Sequence, residues 1–391
     1  MINLKDKFIE IYKHAPEGVA FCPYRVCPIG AHIDHQLGIV TGYAIDKGVS
    51  FAYSPKKNGV VELISLNFDK RAQFHINAVP DEKQNDWADL LRGAVKELTE
   101  KYTLTTGVCG VIKGDLPIGG LSSSAAVTIA FLIALCRVNG IKLTEHEMIL
   151  TAKAAENRYV GVSCGKLDQS TEIYSKKDCL LYLDTKDDSF ELIKKPENMK
   201  PFDTVIIFSG LERSLAQSGF NVRVDECRAA AYAMKAFAGE KYGKFENTCL
   251  RDVEKEDFER LKDRLPESWR MRAEHFYGEM SRVKEGAEAW RAGDIEKFGQ
   301  ICFESGRSSI ENYKTGSSEL IKIYDLMTET DGVYGGRFSG AGFKGCCLAL
   351  TDPRYTENAV RKMSEKYLAD FPHLKDKFSV HVCKSANGAE F

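Results

Sequence analysis

Gly114-Asp115-Leu116-Pro117-Ile118-Gly119-Gly120-Leu121-Ser122-Ser123-Ser124-Ala125-Ala126, a paired-glycine turn running into three serines and an apolar run, carries the strongest structural signal in this chain. The apolar run predicts a helix over 122–138, with serines at its start and Gly140 just beyond its end. Such a turn aims several backbone N–H groups at one spot. The helix dipole adds partial positive charge there, and the hydroxyls add donors or a metal ligand. These are the parts of a phosphate cradle. A serine cap on an ordinary core helix needs one hydroxyl, and three serines behind two glycines exceed that need.

Upstream of this segment, short strands are expected at 19–22, 38–45, 49–53, 60–66 and 72–76, then a helix over 87–102 and a strand at 107–113. Downstream, a helix over 144–159 and strands at 179–183 and 190–193 follow. The polar stretch Lys194-Lys195-Pro196-Glu197-Asn198-Met199-Lys200-Pro201 precedes an apolar strand at 204–208 and marks a boundary between domains at 1–197 and 198–391. Helices at 221–242, 267–292, 295–312 and 317–328, a strand at 345–351, a helix at 355–368 and a strand at 378–383 complete an α+β pattern.

Composition narrows the function. The chain has 391 residues, 43% hydrophobic and 28% charged, which suits a soluble protein of two domains, since single cores stop growing at roughly 250–300 residues. Its 54 basic and 56 acidic residues give a net charge of −2, so a nucleic-acid-coating surface is not expected, although a local basic cleft is compatible with that balance. The start lacks an apolar stretch behind a basic region, so no signal peptide is expected. The longest apolar run, 125–136, falls short of the roughly 20 residues that span a bilayer, and no membrane partner is expected. None of the 12 cysteines forms a CxxC pair, which points to reduced thiols in a cytoplasmic enzyme. Nothing in the sequence fixes an oligomeric state; a monomer is the favoured reading.

Three further patterns are weighed against ordinary roles. Gly161-Val162-Ser163-Cys164-Gly165-Lys166-Leu167 is one residue short of a P-loop and has Leu after Lys. Gly340-Ala341-Gly342-Phe343-Lys344-Gly345 matches GxGxxG, but the strand-like Cys346-Cys347-Leu348-Ala349-Leu350 follows where a dinucleotide site needs a helix. His32, Asp34 and His35 have no zinc spacing, so their turn-rich stretch from Pro23 to His35, which also holds Arg25, reads as a loop for a polyhydroxylated or anionic ligand. Leu167-Asp168-Gln169 is a second polar island; Asp168 and Glu156, taken singly, look like solvated surface.

Taken together these segments resemble the GHMP kinases, especially their galactokinase branch. Arg25 to His35 is similar to that branch's sugar signature, Gly114 to Ala126 to its ATP loop, and Gly335-Gly336-Arg337-Phe338-Ser339-Gly340-Ala341-Gly342-Phe343-Lys344-Gly345-Cys346 to its third motif. Ala155-Glu156-Asn157, Gly165 to Gln169, and Phe220-Asn221-Val222-Arg223 with Glu226-Cys227 match in order. The resemblance implies an N-terminal ATP-binding α+β domain, a C-terminal ferredoxin-like α+β domain, and an active site between them. It implies ATP bound at Gly119, Gly120, Leu121, Ser122, Ser123, Ser124 and Ala125 with Trp87 beside adenine, and Mg²⁺ held by Ser124 and Glu156. Asp168 is implied as catalytic base at the anomeric hydroxyl, and Arg25 as the group that orients it and stabilises the transferring phosphoryl. Substrate contacts are implied at Arg25, Ala31, His32, Asp34, Asp168, Phe220, Gly340 and Gly342.

The departures from the pattern are specific. Ala31 stands where ordinary galactokinases place the Glu that binds the sugar's C6 hydroxyl, and the ATP loop is one residue shorter. Tyr24, Cys27 and Phe220 replace Gly, Asn and Tyr. A Glu there would repel a substrate carrying its own C6 carboxylate, and Ala removes that repulsion. These departures resemble the galacturonokinase branch and imply phosphorylation of D-galacturonate at C1. The alternatives are a galactokinase that meets C6 by other groups, and an inactive galactokinase-like regulator, which would be expected to have lost the ATP loop or the base.

Overall fold

Two sheets with different helical cover divide the chain in the computed structural model, which describes residues 3–68, 70–211 and 219–391. Helix α1 (Leu4–Tyr12) is followed by β1 (Gly18–Val26), β2 (Ile39–Lys56), β3 (Val60–Ser65), β4 (Lys70–His75), α2 (Asp89–Thr99) and β5 (Gly107–Gly114). Then come α3 (Ser123–Val138), α4 (Glu145–Ala154), α5 (Leu167–Tyr174), β6 (Cys179–Asp184) and β7 (Phe190–Lys194). The rest of the chain forms β8 (Asp203–Phe208), α6 (Phe220–Ala238), α7 (Lys255–Leu261), α8 (Glu267–Ala292), α9 (Ile295–Glu311) and α10 (Ser318–Thr328). It ends with β9 (Val333–Phe338), β10 (Cys346–Thr351), α11 (Thr356–Asp370), β11 (Ser379–Cys383) and β12 (Ser385–Ala386).

The first sheet has eight strands along β4-β3-β5-β2-β6-β7, with β1 and β12 also paired to β2. Helix α3 is apolar on nearly every side because β1, β2 and β5 cover one flank and α2, α4 and α5 the others. The second sheet runs β11-β8-β10-β9, antiparallel throughout. In its own numbering that is the order 4-1-3-2 with helices after its first and third strands, the ferredoxin-like arrangement the resemblance implies. Val205, Ile207, Leu320, Tyr324, Met327 and Met363 pack its core.

The proposed boundary at 197/198 falls between β7 and β8, while β12 carries the chain end back to Ala44 and Ile45 of the first sheet. The strands expected at 38–45 and 49–53 are one strand, β2. Asp46-Lys47-Gly48 reads as a turn, but its polar groups are met in place: Lys384 N–H donates to Asp46 Oδ1 at 3.0 Å, and Gly48 N–H to Asp115 Oδ2 at 3.1 Å. Helix α5 was not expected. It is buried on nearly every side, with Gln169, Ser170, Thr171 and Glu172 inside along with Leu167, Ile173 and Tyr174, so no apolar period marks it. The strand after Gly345, expected in place of a dinucleotide helix, is β10. Among the described residues no helix is long and apolar enough to cross a membrane, and all twelve cysteines are free.

Candidate active site

The centre of the cleft is an ion pair. Strand β1 slips register against β2 between Pro23, opposite Gly48, and Arg25, opposite Ala44, and this bulge re-aims the strand at Arg25. The buried guanidinium donates from Nε to Asp168 Oδ1 at 2.8 Å and from Nη1 to the Gly120 carbonyl at 3.2 Å; Nη2 lies 2.7 Å from the same Oδ1. Burial works against the Arg25 charge, yet Asp168 outweighs it and the pKa rises, so this cation is permanent. Both contacts fall on Oδ1. Among the described residues Asp168 Oδ2 has no partner, on a side chain 27% exposed. Asp168 also sits in the first turn of α5, where the helix dipole favours a carboxylate.

Two glycine loops meet above this pair. Gly120 (φ 87°) has no room for a Cβ, which would fall 2.6 Å from Cys346 Sγ, and a Cβ on Gly345 (φ 105°) would fall 2.7 Å from the Gly119 carbonyl carbon. Gly340 (φ 69°) and Gly342 (φ 75°) turn the second loop in the same way. The N-terminal and C-terminal halves therefore touch backbone to backbone. Ser122 adopts a left-handed φ of 61° and does not cap α3; its buried Oγ has no partner, nor has Ser339 Oγ on the facing loop. Leu121 and Ala125 are buried beneath the turn, whereas Ser123 and Ser124 are half-buried in the first helical turn, whose N–H groups lack intrahelical acceptors. The capping role of a single serine is thus not what the structure uses.

Glu156 lies where α4 widens into a π-helical turn, Ala155–Val160, a distortion that recurs at functional sites. Its Oε2 accepts from Gln169 Nε2 at 2.7 Å, and the buried Gln169 Oε1 is left without a partner. A carboxylate at Glu156 and a hydroxyl at Ser124 are the hard oxygen donors that suit Mg²⁺, which is usually held by one or two carboxylates plus substrate phosphates. No cluster of three or more His, Cys, Asp or Glu that could hold a metal occurs among the described residues. Trp87, just before α2, stacks on the exposed Phe68 with ring centroids 6.3 Å apart, leaving an aromatic pair on that flank.

The loop from Arg25 to His35 is charged and tightly held. Asp34 Oδ2 accepts from Leu167 N–H at 3.2 Å, fixing the loop to the start of α5, and Gly165 must lack a Cβ because Asp34 occupies its place. Removal from water, then the nearby Asp168 charge, raises the Asp34 pKa to about 6. His32, at φ 66°, stacks on Tyr313 at 4.5 Å and 9°, with Nε2 unpartnered. Burial first, then Arg337, pushes its pKa well down. Phe220, the first residue of α6, meets His35 edge-on at 5.6 Å. Ala31 is buried, and its carbonyl faces His275 Nε2 at 3.0 Å.

Contacts join Arg25 to Asp168 and Gly120, Gly120 to Gly340, Asp34 to Leu167 and His35 to Phe220, whereas Trp87 stacks on Phe68. The residues that sequence reasoning missed lie behind Ala31: His275 and Glu279 on α8, Ser305 and Ser308 on α9, and the fully buried Arg337 on β9. A signal existed, since His275 and Glu279 are one helical turn apart on the buried face of α8.

Family models match at three places: the GHMP kinases N terminal domain at 89–176, the GHMP kinases C terminal domain at 283–369, and the galactokinase galactose-binding signature at 6–55. The chain is 37% identical to a galacturonokinase of Arabidopsis thaliana, covering 95% of this chain and 92% of that protein. It is 30% identical to a galactokinase of Roseiflexus sp. (strain RS-1), covering 99% and 96%. The structure of Lactococcus lactis galactokinase complexed with galactose superposes with a TM-score of 0.89 at 25% identity, over 99% of this chain and 98% of that one. Methanococcus jannaschii mevalonate kinase shares the fold, with a TM-score of 0.66 at 17% identity over 95% and 98% of the two chains.

Proposed function

We infer, because the chain belongs to the GHMP kinase family and is a sugar kinase of its galactokinase-like branch, that it transfers the γ-phosphoryl of ATP to the C1 hydroxyl of D-galacturonate, giving galacturonate 1-phosphate. The observation that carries the acceptor is Ala31: a small apolar side chain, buried and backbone-anchored, stands where a carboxylate would repel a uronate. The 37% likeness to a galacturonokinase, against 30% to galactokinases, supports the same choice.

Phosphoryl transfer needs little covalent chemistry from the protein; positioning and charge neutralisation dominate. Asp168 Oδ2 takes the C1 hydroxyl proton as that oxygen attacks the γ-phosphorus in line, while Arg25 holds Oδ1 and fixes the carboxylate's direction. Arg25 also reaches the Gly120 carbonyl, so the base and the phosphate loop are set by one guanidinium. The first-turn N–H groups of α3 and the Gly119-Gly120 turn receive phosphate oxygens. When bound, Mg²⁺ at Ser124 and Glu156 supplies neutralisation of the triphosphate charge. Asp34 grips ring hydroxyls, and the Phe68–Trp87 pair offers a stacking surface for adenine. The free thiols support a reducing, cytoplasmic setting, and every group named comes from one chain, so a monomer suffices.

Galactose is the second reading, favoured by the signature match at 6–55 and the galactokinase superposition. An inactive regulator is disfavoured by the intact Arg25–Asp168 pair and glycine loops. A coupled ADP-release assay across galacturonate, glucuronate, galactose and glucose tests the assignment. Galacturonate should give the highest kcat/KM; a higher value for galactose overturns it.

A further inference from the structure

The peptide at Ala31 is gripped from the other half of the molecule. His275 Nε2 lies 3.0 Å from the Ala31 carbonyl, and Nδ1 lies 2.9 Å from Ser308 Oγ. A carbonyl oxygen can only accept, so Nε2 carries the hydrogen. Burial, opposed in part by Glu279, brings the His275 pKa down to about 4, so the ring is neutral and Nδ1 accepts the Ser308 hydroxyl hydrogen. Asn312 Nδ2 donates to that same hydroxyl oxygen at 3.3 Å, completing a directed relay from Asn312 through Ser308 and His275 to the Ala31 carbonyl.

One residue earlier, the Gly30 N–H donates to Glu279 Oε1 at 2.7 Å. Arg282 Nε holds Glu279 Oε2 at 2.7 Å, and the buried Arg337 and Ser305 share Oε1. The loop is therefore fixed at a donor and at an acceptor, by groups on α8 and α9. Directly after the held carbonyl comes His32, whose left-handed φ of 66° is strained for a residue with a Cβ and persists only where surroundings enforce it.

We propose that His275, oriented by Ser308, is a positioning residue for the C6 subsite: it acts through the Ala31 carbonyl to set the room available to the group on C6. Ala31 has no side chain long enough to define that room, so the height of its backbone does. The contacts of His275 are to Ser308, the Ala31 carbonyl and the rings of His32 and Tyr313, so the role assigned to it is one of positioning. The inference rests on the sugar-kinase reading but not on which C6 group is bound.

The test compares sugars with and without C6, using galacturonate, galactose and L-arabinose, which has the galactose ring configuration and no C6. In His275→Ala the KM of the preferred C6-bearing sugar should rise about tenfold, the loss of one buried hydrogen bond. The kcat, the KM for ATP and the kcat/KM for L-arabinose should stay within about twofold. His275→Gln, which restores a donor near Nε2, should recover most of the loss. Equal losses for L-arabinose, a fall in kcat, a raised KM for ATP or no change at all would each overturn the proposal. If His275→Ala does not fold by circular dichroism, Ser308→Ala takes its place, with a rise of about threefold in the same KM expected and the same outcomes overturning. A wild-type preference for galactose sinks the galacturonate assignment alone, and the galactose to L-arabinose ratio then decides the role of His275.

Discussion

The two sides of the cleft are built on opposite principles. The side proposed for phosphate, Gly119 to Ser124 against Gly340 to Gly345, is made of backbone, small side chains and left-handed turns. The side proposed for the sugar, Arg25 to His35, combines buried charge, imidazole and anchored backbone, with distant partners: Asp168 for Arg25, Glu279 for the Gly30 N–H, His275 for the Ala31 carbonyl and Tyr313 for His35. The difference predicts how each side fails. Atoms added to the first side have nowhere to go, whereas removing the Arg25 guanidinium from the second leaves Asp168 without its cation.

The largest effect should come from removing the base. Asp168→Asn should lower kcat about 1,000-fold while leaving ATP binding intact, as read by ADP release and calorimetric titration with ATP. Turnover near wild type would show that the carboxylate is not the base. Next in size, Gly120→Ala inserts a Cβ into Cys346 and strains a φ of 87°, so the KM for ATP should rise at least about tenfold. An unchanged KM would mean the two loops separate freely.

A smaller effect follows from Asp34. Its raised pKa, about 6, comes from removal from water and then from Asp168, so the charged form proposed to grip hydroxyls grows in as pH rises through that value. The kcat/KM for sugar should climb between about pH 5 and pH 7 with KM carrying the change. A carboxyl raised in the folded state binds protons more tightly there than in the unfolded chain, so its contribution to stability falls as pH rises from about 4 to 6. Asp34→Asn should therefore raise the melting temperature at pH 7.5 while weakening sugar binding; a lower melting temperature contradicts this sign. The smallest effect belongs to Ser122→Ala, since that Oγ bonds nothing and caps nothing. A change beyond about twofold in the KM for ATP would reveal a phosphate contact at that hydroxyl.

This contrast also explains how much the sequence discloses. The side proposed for phosphate is contiguous, and glycine followed by serine has few other uses, so Gly119 to Ser124 is legible without any structure. The second half is legible only in part: the strands at 204–208, 345–351 and 378–383 are read from apolar runs, whereas β9, Val333–Phe338, with its paired Gly335-Gly336 and buried Arg337, is not. Helix α5 is illegible because no apolar period marks it, and β2 hides its continuity because Asp46 is satisfied by Lys384, more than three hundred residues away in sequence. His275 and Glu279 read as ordinary helix residues until α8 is laid against Gly30 and Ala31. Local backbone motifs announce themselves, but pairings between buried charges appear only when the chain is folded.

We propose that the absence of a carboxylate at residue 31 selects a uronate. The most direct measurement is the ratio of kcat/KM for galacturonate to that for galactose, taken side by side in the wild type and in Ala31→Glu. The wild-type ratio should exceed about 10, and the substitution should lower it at least about 100-fold by placing like charges together in a poorly solvated site. A wild-type ratio below one, or a ratio that Ala31→Glu leaves unchanged, would contradict the account.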